Sequence, residues 1–242
     1  MSMLRRILGD MFGLFFPPQC PVCGDLLADN EHFICTACRF RAPLTNFWKE
    51  ADNPMIRRMD GLLPVENAAA FWWFIDGSDW QRIIHRFKYA GRWRFARRIG
   101  EWFGSELAES GTFSNIDIIV PVPLHWRKRI RRGYNQSEYI ADGIAEALGA
   151  KVDRRSVRRR VNNPSQARNS ANERWDNVDG IFAVRNAEAL RGKHILLVDD
   201  VFTTGATMVS CGTAIIEALG AENVRLSIAT VAITQRSMAI DR

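Results

Sequence analysis

The stretch His194-Ile195-Leu196-Leu197-Val198-Asp199-Asp200-Val201-Phe202-Thr203-Thr204-Gly205-Ala206-Thr207 decides the fold of this chain. Its apolar part, residues 195–198, is short, branched and uninterrupted, which predicts a strand buried on both faces of a sheet. Two acids follow where such a strand leaves the sheet, and a hydroxyl-rich turn with one glycine leads into an amphipathic segment. Apolar residues recur in that segment at helical spacing, at Met208, Cys211, Ile215 and Leu219. The stretch therefore predicts the strand–turn–helix unit of an α/β protein.

The two acids and the turn have the chemistry of a phosphosugar site. In open parallel sheets, ligands bind beyond the carboxyl ends of the strands. A turn that opens a helix offers unpaired backbone N–H groups and the positive end of a dipole, and both suit a phosphate. Asp199 and Asp200 offer hard oxygen ligands, which suit a sugar cis-diol or a magnesium ion. The alternative is an ordinary strand–turn–helix unit whose acids face water.

This stretch resembles the 5-phosphoribosyl-1-pyrophosphate (PRPP) signature of type I phosphoribosyltransferases. In that signature, four apolar residues, two acids and a Thr-Thr-Gly-type loop hold the ribose 5-phosphate. A match of this length is far more specific than a lone glycine motif. The resemblance implies that Asp199 and Asp200 are the catalytic acids and hold the ribose hydroxyls, directly or through magnesium. It assigns the 5-phosphate to the loop Thr203, Thr204, Gly205, Ala206 and Thr207.

Composition bounds the class of protein. The chain has 242 residues, 47% of them hydrophobic, which is enough for one substantial core and a small accessory module. Lysine and arginine number 33 against 27 acids, and the resulting charge of +6 favours anionic partners such as phosphates or nucleic acid. Because no apolar run is long enough to span a bilayer, we expect no transmembrane segment. Five cysteines without a convincing export signal predict reduced thiols or a metal site in a cytoplasmic protein.

The N-terminal segment combines a predicted helix with four regularly spaced cysteines. Apolar residues fall at helical spacing over residues 1–16, and Asp10 interrupts the apolar run that a signal peptide needs. We expect this helix to pack on the protein's own body, with a membrane-surface role as the alternative. Two Cys-x-x-Cys pairs follow and can present four thiolates tetrahedrally, as structural zinc requires. The predicted ligands are Cys20, Cys23, Cys35 and Cys38; unrelated redox or core cysteines are the alternative.

Aromatic and basic residues alternate through the middle of the chain. Six of the eight tryptophans lie between Phe47 and Trp102, and seven basic residues with no acid lie between Asp79 and Glu101. Two further basic clusters cover residues 127–132 and 154–160. Aromatics among arginines can stack on bases while the charges follow a nucleic-acid backbone. We favour core positions for the tryptophans, because large aromatics are usually buried.

Further motifs narrow the resemblance. Residues 116–124 predict a buried strand that two prolines stop, followed by a basic loop over 125–133 and a helix that ends near Gly149. The tetracysteine module, Phe87-Lys88-Tyr89-Ala90-Gly91, Val122-Pro123-Leu124-His125, Arg132-Gly133-Tyr134-Asn135-Gln136 and the PRPP signature occur in this order. Together they are similar to the ComF family, in which a zinc-binding module precedes a type I phosphoribosyltransferase domain. The resemblance implies a parallel α/β sheet flanked by helices, with the N-terminal helix and zinc module over residues 1–58 and the phosphoribosyltransferase-like domain over 59–242.

The resemblance also implies an activity and its residues. A nucleophile displaces pyrophosphate from PRPP bound with Mg²⁺, and catalysis rests on positioning and on stabilising the leaving group. The implied pyrophosphate loop contains Leu124, His125, Arg127 and Lys128. A mobile loop that closes over the site contains Arg159, Gln166 and Arg174. Nothing in the sequence identifies the acceptor of the phosphoribosyl group.

The second hypothesis is a non-catalytic protein that binds PRPP and single-stranded DNA. The resemblance associates such a protein with DNA uptake and natural transformation, alongside protein partners of an uptake machinery. The basic clusters would then contact the DNA, and the affinity would fall steeply with salt.

Overall fold

The predicted strand of the Asp199-Asp200 stretch lies at the centre of a five-stranded parallel sheet. The computed structural model describes residues 17–86, 93–161 and 180–235. The strands in these residues are β1 (Asn67–Phe74), β2 (Ile118–Pro121), β3 (Lys151–Val152), β4 (Val157–Arg159), β5 (Phe182–Val184), β6 (His194–Phe202) and β7 (Arg225–Thr234). The main sheet has the order β1-β7-β6-β2-β3 with every pair parallel, and β4 and β5 form a separate antiparallel pair. The predicted parallel α/β sheet is therefore confirmed.

Helices cover both faces of this sheet. They are α1 (Thr36–Phe40), α2 (Pro54–Met59), α3 (Asp79–Arg86), α4 (Trp93–Ser110), α5 (Trp126–Arg132), α6 (Gln136–Leu148) and α7 (Ala206–Leu219), and short 3₁₀ turns span Phe47–Lys49 and Ala221–Asn223. Along β6, Leu196 and Val198 belong to one buried cluster with residues of α4 and α6, whereas Ile195 and Leu197 belong to the other with residues of α7. The strand is buried on both faces because successive side chains point to opposite sides of the sheet. The predicted helix over residues 1–16 and the segment 87–91 lie outside the described residues.

Glycines let α4 and α6 approach closely. A Cβ atom on Gly143 would lie 2.3 Å from the carbonyl oxygen of Arg97, and one on Gly100 would lie 2.2 Å from that of Ile140. Only hydrogen fits at these positions, so backbone meets backbone where the helices cross. This tight contact fixes the start of α6, which carries polar residues to the carboxyl edge of the sheet.

The tetracysteine module packs on the side of the sheet that α4 and α6 cover. Phe33 lies against Phe95 of α4 with ring centroids 4.7 Å apart, and the Arg39 guanidinium lies 4.9 Å from the ring centre of Trp102. After the module, the N–H of Thr45 donates to Phe71 O at 3.1 Å, so this segment pairs with the outer edge of β1. The module is thus continuous with the main core.

The tryptophans divide between the core and the surface. Trp48 and Trp72 are fully buried, and Trp80 and Trp102 are nearly so. Their burial confirms the core interpretation for these residues. Trp126 of α5, by contrast, is 59% exposed. Among the described helices, none has the length and apolar content that a bilayer crossing requires.

Candidate functional site

Asp199 and Asp200 lie at the carboxyl edge of the sheet and face a cleft of about 120 Å³. β6 continues past both acids to Phe202, so the strand is longer than the apolar run predicted. The cleft walls come from four parts of the chain: residues 122–124 after β2, the start of α6, the end of β4, and β6 with the first turn of α7. The lining residues are Val122, Pro123, Leu124, Arg132, Asn135, Gln136, Ser137, Arg159, Asp199, Asp200 and Thr207.

The Asp199 carboxylate is held by two donors. The Ser137 hydroxyl donates to its Oδ1 at 2.9 Å, and the N–H of Asp200 donates to the same oxygen at 2.8 Å. Both acids are partly buried, so their charges face the cleft with less screening than bulk water provides. Two oxygen-rich side chains at one edge of a sheet can bind a sugar diol or a divalent cation.

The loop after β6 is shaped by Gly205. Its φ of +84° is left-handed, and a Cβ atom there would lie 2.8 Å from the Phe202 ring and 2.9 Å from Met59 Cε. The chain can therefore turn here against the core only with glycine. The helix α7 starts at the next residue, and the N–H groups of its first turn have no partner within the helix. Thr207 in this turn lines the cleft, while Thr203 is exposed.

The predicted basic loop over residues 125–133 is wrong in its local structure, because most of it is the helix α5. The N–H of Arg127 donates to His125 Nδ1 at 3.3 Å, which caps the helix, and Gly133 ends it with a left-handed φ of 80°. Arginine and lysine have high helix propensity. The cap at His125 starts the helix, and the glycine at position 133 ends it.

The residues predicted to bind pyrophosphate divide between the cleft and the helix. Leu124 lines the cleft, whereas His125, Arg127 and Lys128 do not. His125 is buried. Burial lowers its pKa, and the nearby charges of Arg127, Arg159 and Lys128 lower it further, so the imidazole is neutral at pH 7. The Arg127 guanidinium lies 5.3 Å from the ring centre of Trp126 on the exposed surface of α5.

Arg159 is the residue of the predicted mobile loop that the structure brings to the acids. It ends β4, lines the cleft, and stacks its guanidinium 5.4 Å from the ring centre of Phe182. Burial lowers its pKa, and the negative charge of Asp199 opposes that shift. Gln166 and Arg174 lie outside the described residues.

Sequence reasoning assigned no individual role to the polar cleft residues around the start of α6. Asn135 donates its amide to Val122 O at 3.0 Å, and the guanidinium of Arg132 donates to Gln136 Oε1 at 3.2 Å. Buried polar residues at the start of a helix that also carries an apolar face are the signal that would have drawn attention to them.

The basic clusters differ in how their charges are paired. In α4, Arg97 pairs with Glu101 and Glu146, and Arg98 pairs with Glu101. In α5, which has no buried residue, Arg129 pairs with Glu138, while Arg127 and Arg131 are exposed. The surface of α5 therefore combines positive charge with the exposed apolar side chains of Trp126 and Ile130.

The four predicted zinc ligands form one cluster. Their Sγ atoms all lie within 4.8 Å of one another, and Cys23 Sγ lies 3.7 Å from Cys35 Sγ. Zinc–sulfur bonds of about 2.3 Å in a tetrahedron place the sulfurs about 3.8 Å apart, so the cluster fits that ion. The N–H of Cys35 donates to Cys20 Sγ and the N–H of Cys38 donates to Cys35 Sγ, both at 3.4 Å, as expected for thiolates. His32 is exposed and outside the cluster.

Two of the thiols differ in how readily they ionise. Burial raises the pKa of Cys20, but the N–H groups of Cys23, Cys35 and Val22 outweigh it and lower the value to about 7. Burial and the neighbouring thiols raise the pKa of Cys38. Since the thiolate is the form that binds metal, Cys20 is the ligand most available at neutral pH.

A family model described as "Phosphoribosyl transferase domain" matches residues 134–239, the part of the chain that contains α6, β6 and the loop after it. This match and the parallel sheet identify a phosphoribosyltransferase-type domain in the chain. "DNA utilization protein YhgH" of Escherichia coli is 28% identical over 78% of this chain and 74% of its own length. "Competence protein ComFC" of Bacillus subtilis is 27% identical over 89% of this chain and 75% of its own length. The chain thus contains a phosphoribosyl transferase domain, has relatives named for competence and DNA utilization, and carries a tetracysteine cluster that could hold a metal ion.

One comparison with solved structures gives a weaker match. An adenine phosphoribosyltransferase from Saccharomyces cerevisiae aligns with a TM-score of 0.35 and 20% identity over 57% of this chain and 68% of that chain. A match of this size carries no weight beside the topology.

Proposed function

We propose that the cleft at the carboxyl edge of the sheet binds PRPP together with Mg²⁺, and that a nucleophile displaces pyrophosphate from the anomeric carbon. The observation that supports this most is that Asp199, Asp200 and Thr207, in the first turn of α7, line one cleft. A diol, a phosphate and a pyrophosphate need different partners. The cleft offers carboxylates for the diol, a helix N-terminus for the phosphate and arginines for the pyrophosphate.

The phosphate and ribose take the β6 side of the cleft in this proposal. The first-turn N–H groups of α7 and the hydroxyls of Thr203 to Thr207 bind the 5-phosphate, since a helix N-terminus favours an anion. Asp199 and Asp200 bind the ribose hydroxyls, directly or through the metal. Magnesium, when bound with PRPP, supplies positive charge that stabilises the departing pyrophosphate.

The pyrophosphate takes the opposite wall. Leu124 borders it, and Arg132 and Arg159 line the cleft, where a highly charged leaving group needs cations. Positive charge develops on the ribose as the bond to pyrophosphate breaks, and Asp199 and Asp200 lie where their charge stabilises it. Arg127 and Lys128, which the sequence favoured for this role, belong to α5 and do not line the cleft.

Calorimetric titration with PRPP and Mg²⁺, followed by a pyrophosphate-release assay against a panel of nucleobases, tests the proposal. The Asp199→Asn, Asp200→Asn double variant should lose PRPP affinity by at least about a hundredfold, since two charged contacts disappear. Asp76→Asn, on the exposed surface, is the matched control and should bind like the unaltered protein. Unchanged PRPP binding in the double variant would reject the site.

We propose zinc as the metal of the tetracysteine cluster, with a structural role. Four thiolates complete a tetrahedral shell, so a bound ion keeps no open position for substrate. Metal analysis of the purified protein should give one zinc per chain. Retention of zinc after Cys20→Ser with Cys23→Ser would contradict this assignment.

Single-stranded DNA is a second candidate ligand, favoured by the surface of α5. Exposed Trp126 can stack on a base while Arg127 and Arg131 neutralise phosphates. The names of the relatives, which refer to DNA utilization and competence, point the same way. In this version the PRPP cleft is a ligand sensor in a DNA-uptake protein, and protein partners of the uptake machinery would bind elsewhere.

Two measurements separate the candidates. A fluorescent single-stranded oligonucleotide should bind with an affinity that falls steeply as salt rises, and Trp126→Ala with Arg131→Gln should weaken it. Arg98→Gln, which removes a charge already paired with Glu101, is the control. PRPP binding without pyrophosphate release, together with salt-sensitive DNA binding, would favour the sensor; release without DNA binding would favour the enzyme.

A further inference from the structure

Two polar side chains at the start of α6 turn away from their own helix. Asn135 occupies the N-cap position, yet its side chain makes no capping hydrogen bond and donates to Val122 O at 3.0 Å instead. Ser137, in the first helical turn, donates its hydroxyl to Asp199 Oδ1 at 2.9 Å. Serine and asparagine at helix starts usually bond to nearby backbone groups. Here both side chains bond to residues of other elements, and this needs another reason.

These contacts join α6 to the two strands that border the cleft. Val122 directly follows the end of β2, and Asp199 lies in β6. Ser137 is 3% exposed, so water has little access to the hydroxyl that bonds the partly buried carboxylate. Hydrogen bonds to a charged group are stronger than neutral ones, and removal of a buried donor leaves the acceptor without that partner.

Two hydrogen bonds to Asp199 reach the same oxygen, Oδ1. Oδ1 accepts from the Ser137 hydroxyl and from the N–H of Asp200. Two donors on one oxygen restrict rotation of the carboxylate and fix the direction in which the other oxygen points. The arrangement matters for a ligand because a diol or a cation tolerates little error in the position of a carboxylate.

We propose that Ser137 is a positioning residue that orients the Asp199 carboxylate for the ribose and its metal. This inference rests on the proposed PRPP site and adds to it a residue from outside the signature stretch. Ser137 does not contact the 5-phosphate loop itself in this scheme. Its removal should therefore weaken the binding of PRPP with Mg²⁺ while the binding of a simple phosphate stays unchanged.

Ser137→Ala tests this inference by calorimetry with two probes, PRPP with Mg²⁺ and inorganic phosphate alone. We expect PRPP affinity to fall about tenfold, as for a lost hydrogen bond to a charged group, and phosphate affinity to stay the same. Alanine suits a helix, so the variant should fold, and a thermal melt checks that it does. Ser227→Ala is the matched control, because Ser227 is also buried and hydrogen-bonded, to His194 at the opposite edge of the sheet.

Two more variants separate orientation from a general structural effect. Ser137→Thr keeps the hydroxyl and should recover most of the PRPP affinity. In an Asp199→Asn background, Ser137→Ala should cause little further loss, because coupled residues are not additive. A loss that persists undiminished in that background, or an equal loss for inorganic phosphate, would overturn the inference.

The outcomes also distinguish this inference from the function beneath it. If the unaltered protein binds no PRPP, the proposed function fails and the inference fails with it. If the unaltered protein binds PRPP and Ser137→Ala binds it equally well, the proposed function stands and only the role of Ser137 is rejected.

Discussion

Gly205 is the residue at which the loop after β6 meets the core. Its left-handed backbone and its contacts with Phe202 and Met59 are separate constraints, one on conformation and one on volume. A substitution violates both together. The shape of the loop therefore requires glycine at position 205.

Gly205→Ala should destabilise the protein by about 1–2 kcal/mol from the left-handed backbone, with roughly 1–3 kcal/mol more from overpacking. Because the loop must shift, PRPP affinity should fall too. Urea unfolding and calorimetry measure the two effects. The control is Gly192→Ala, where φ is also positive but nothing lies within 4 Å of the added Cβ atom. Equal losses in the two variants would show that the core contacts do not matter.

His194 gives the stability of the protein a pH dependence. Burial lowers the pKa of His194 below the ordinary 6.5, although the charge of Glu66 opposes the shift. The Nε2 atom of His194 lies 2.8 Å from Ser227 Oγ. Below that pH, the unfolded chain binds a proton that the folded chain does not yet bind. The contribution of His194 to the free energy of unfolding is thus fully present above pH 6.5. It is lost as the pH falls toward the pKa of His194 in the folded protein.

His194→Gln should flatten the fall in unfolding free energy between about pH 7 and pH 5. Part of the slope should remain, because the pKa of buried His125 is also lowered. Urea unfolding at several pH values measures the slope. His32→Gln, at an exposed position, serves as the control and should leave it unchanged. An identical slope in His194→Gln and the unaltered protein would contradict the assignment.

At the scale of helices, the crossing of α4 and α6 depends on glycine. A Cβ atom on Gly143 meets backbone atoms of α4, which cannot move without the whole helix. Gly143→Ala should therefore destabilise the protein by about 3 kcal/mol, at the upper end for an overpacked core. Denaturant unfolding gives the value.

Gly212→Ala in α7 is the comparison for this prediction. Its Cβ atom would meet only the side chain of Leu63, which can rotate, and alanine gains about 1 kcal/mol of helix propensity. We expect a small change of either sign. If Gly143→Ala were equally mild, the two helices would have to be free to separate.

The sequence predicted the elements that carry a strong local signal. The apolar run before Asp199, the alternation of strands and helices, and the paired cysteines each follow from short-range chemistry. The sequence did not predict α5 between His125 and Gly133. This helix is mostly basic and has no buried residue, so no apolar face at helical spacing marks it. Nor did it predict the contact of Ser137 with Asp199, because a hydrogen bond between distant elements leaves no trace in local spacing.

At the scale of the whole molecule, the tetracysteine module and the sheet share one core. Cys20, Cys35 and Cys38 belong to the same buried cluster as Trp102 and Phe103 of α4. The energy that a bound ion gives to the module is therefore coupled to the packing of the main domain.

Cys20→Ser with Cys23→Ser should lower the thermal stability of the entire chain and expose Trp102, instead of unfolding the module alone. Tryptophan fluorescence during a thermal melt follows both events, with metal content measured in parallel. Cys211→Ala, at a buried cysteine outside the cluster, is the control and should have the same metal content as the unaltered protein. An unchanged melting temperature in the double variant would separate the module from the core.

The segment after the module also has a consequence for solubility. β1 is an eight-residue border strand, Asn-Ala-Ala-Ala-Phe-Trp-Trp-Phe, whose free side is partly covered by residues 43–45. At the opposite border, β3 has only two residues. Uncovered apolar borders recruit strands from other molecules and start aggregates. We predict that loss of the cysteine cluster releases this cover, so Cys20→Ser with Cys23→Ser should accumulate as β-rich aggregates while the unaltered protein stays in solution.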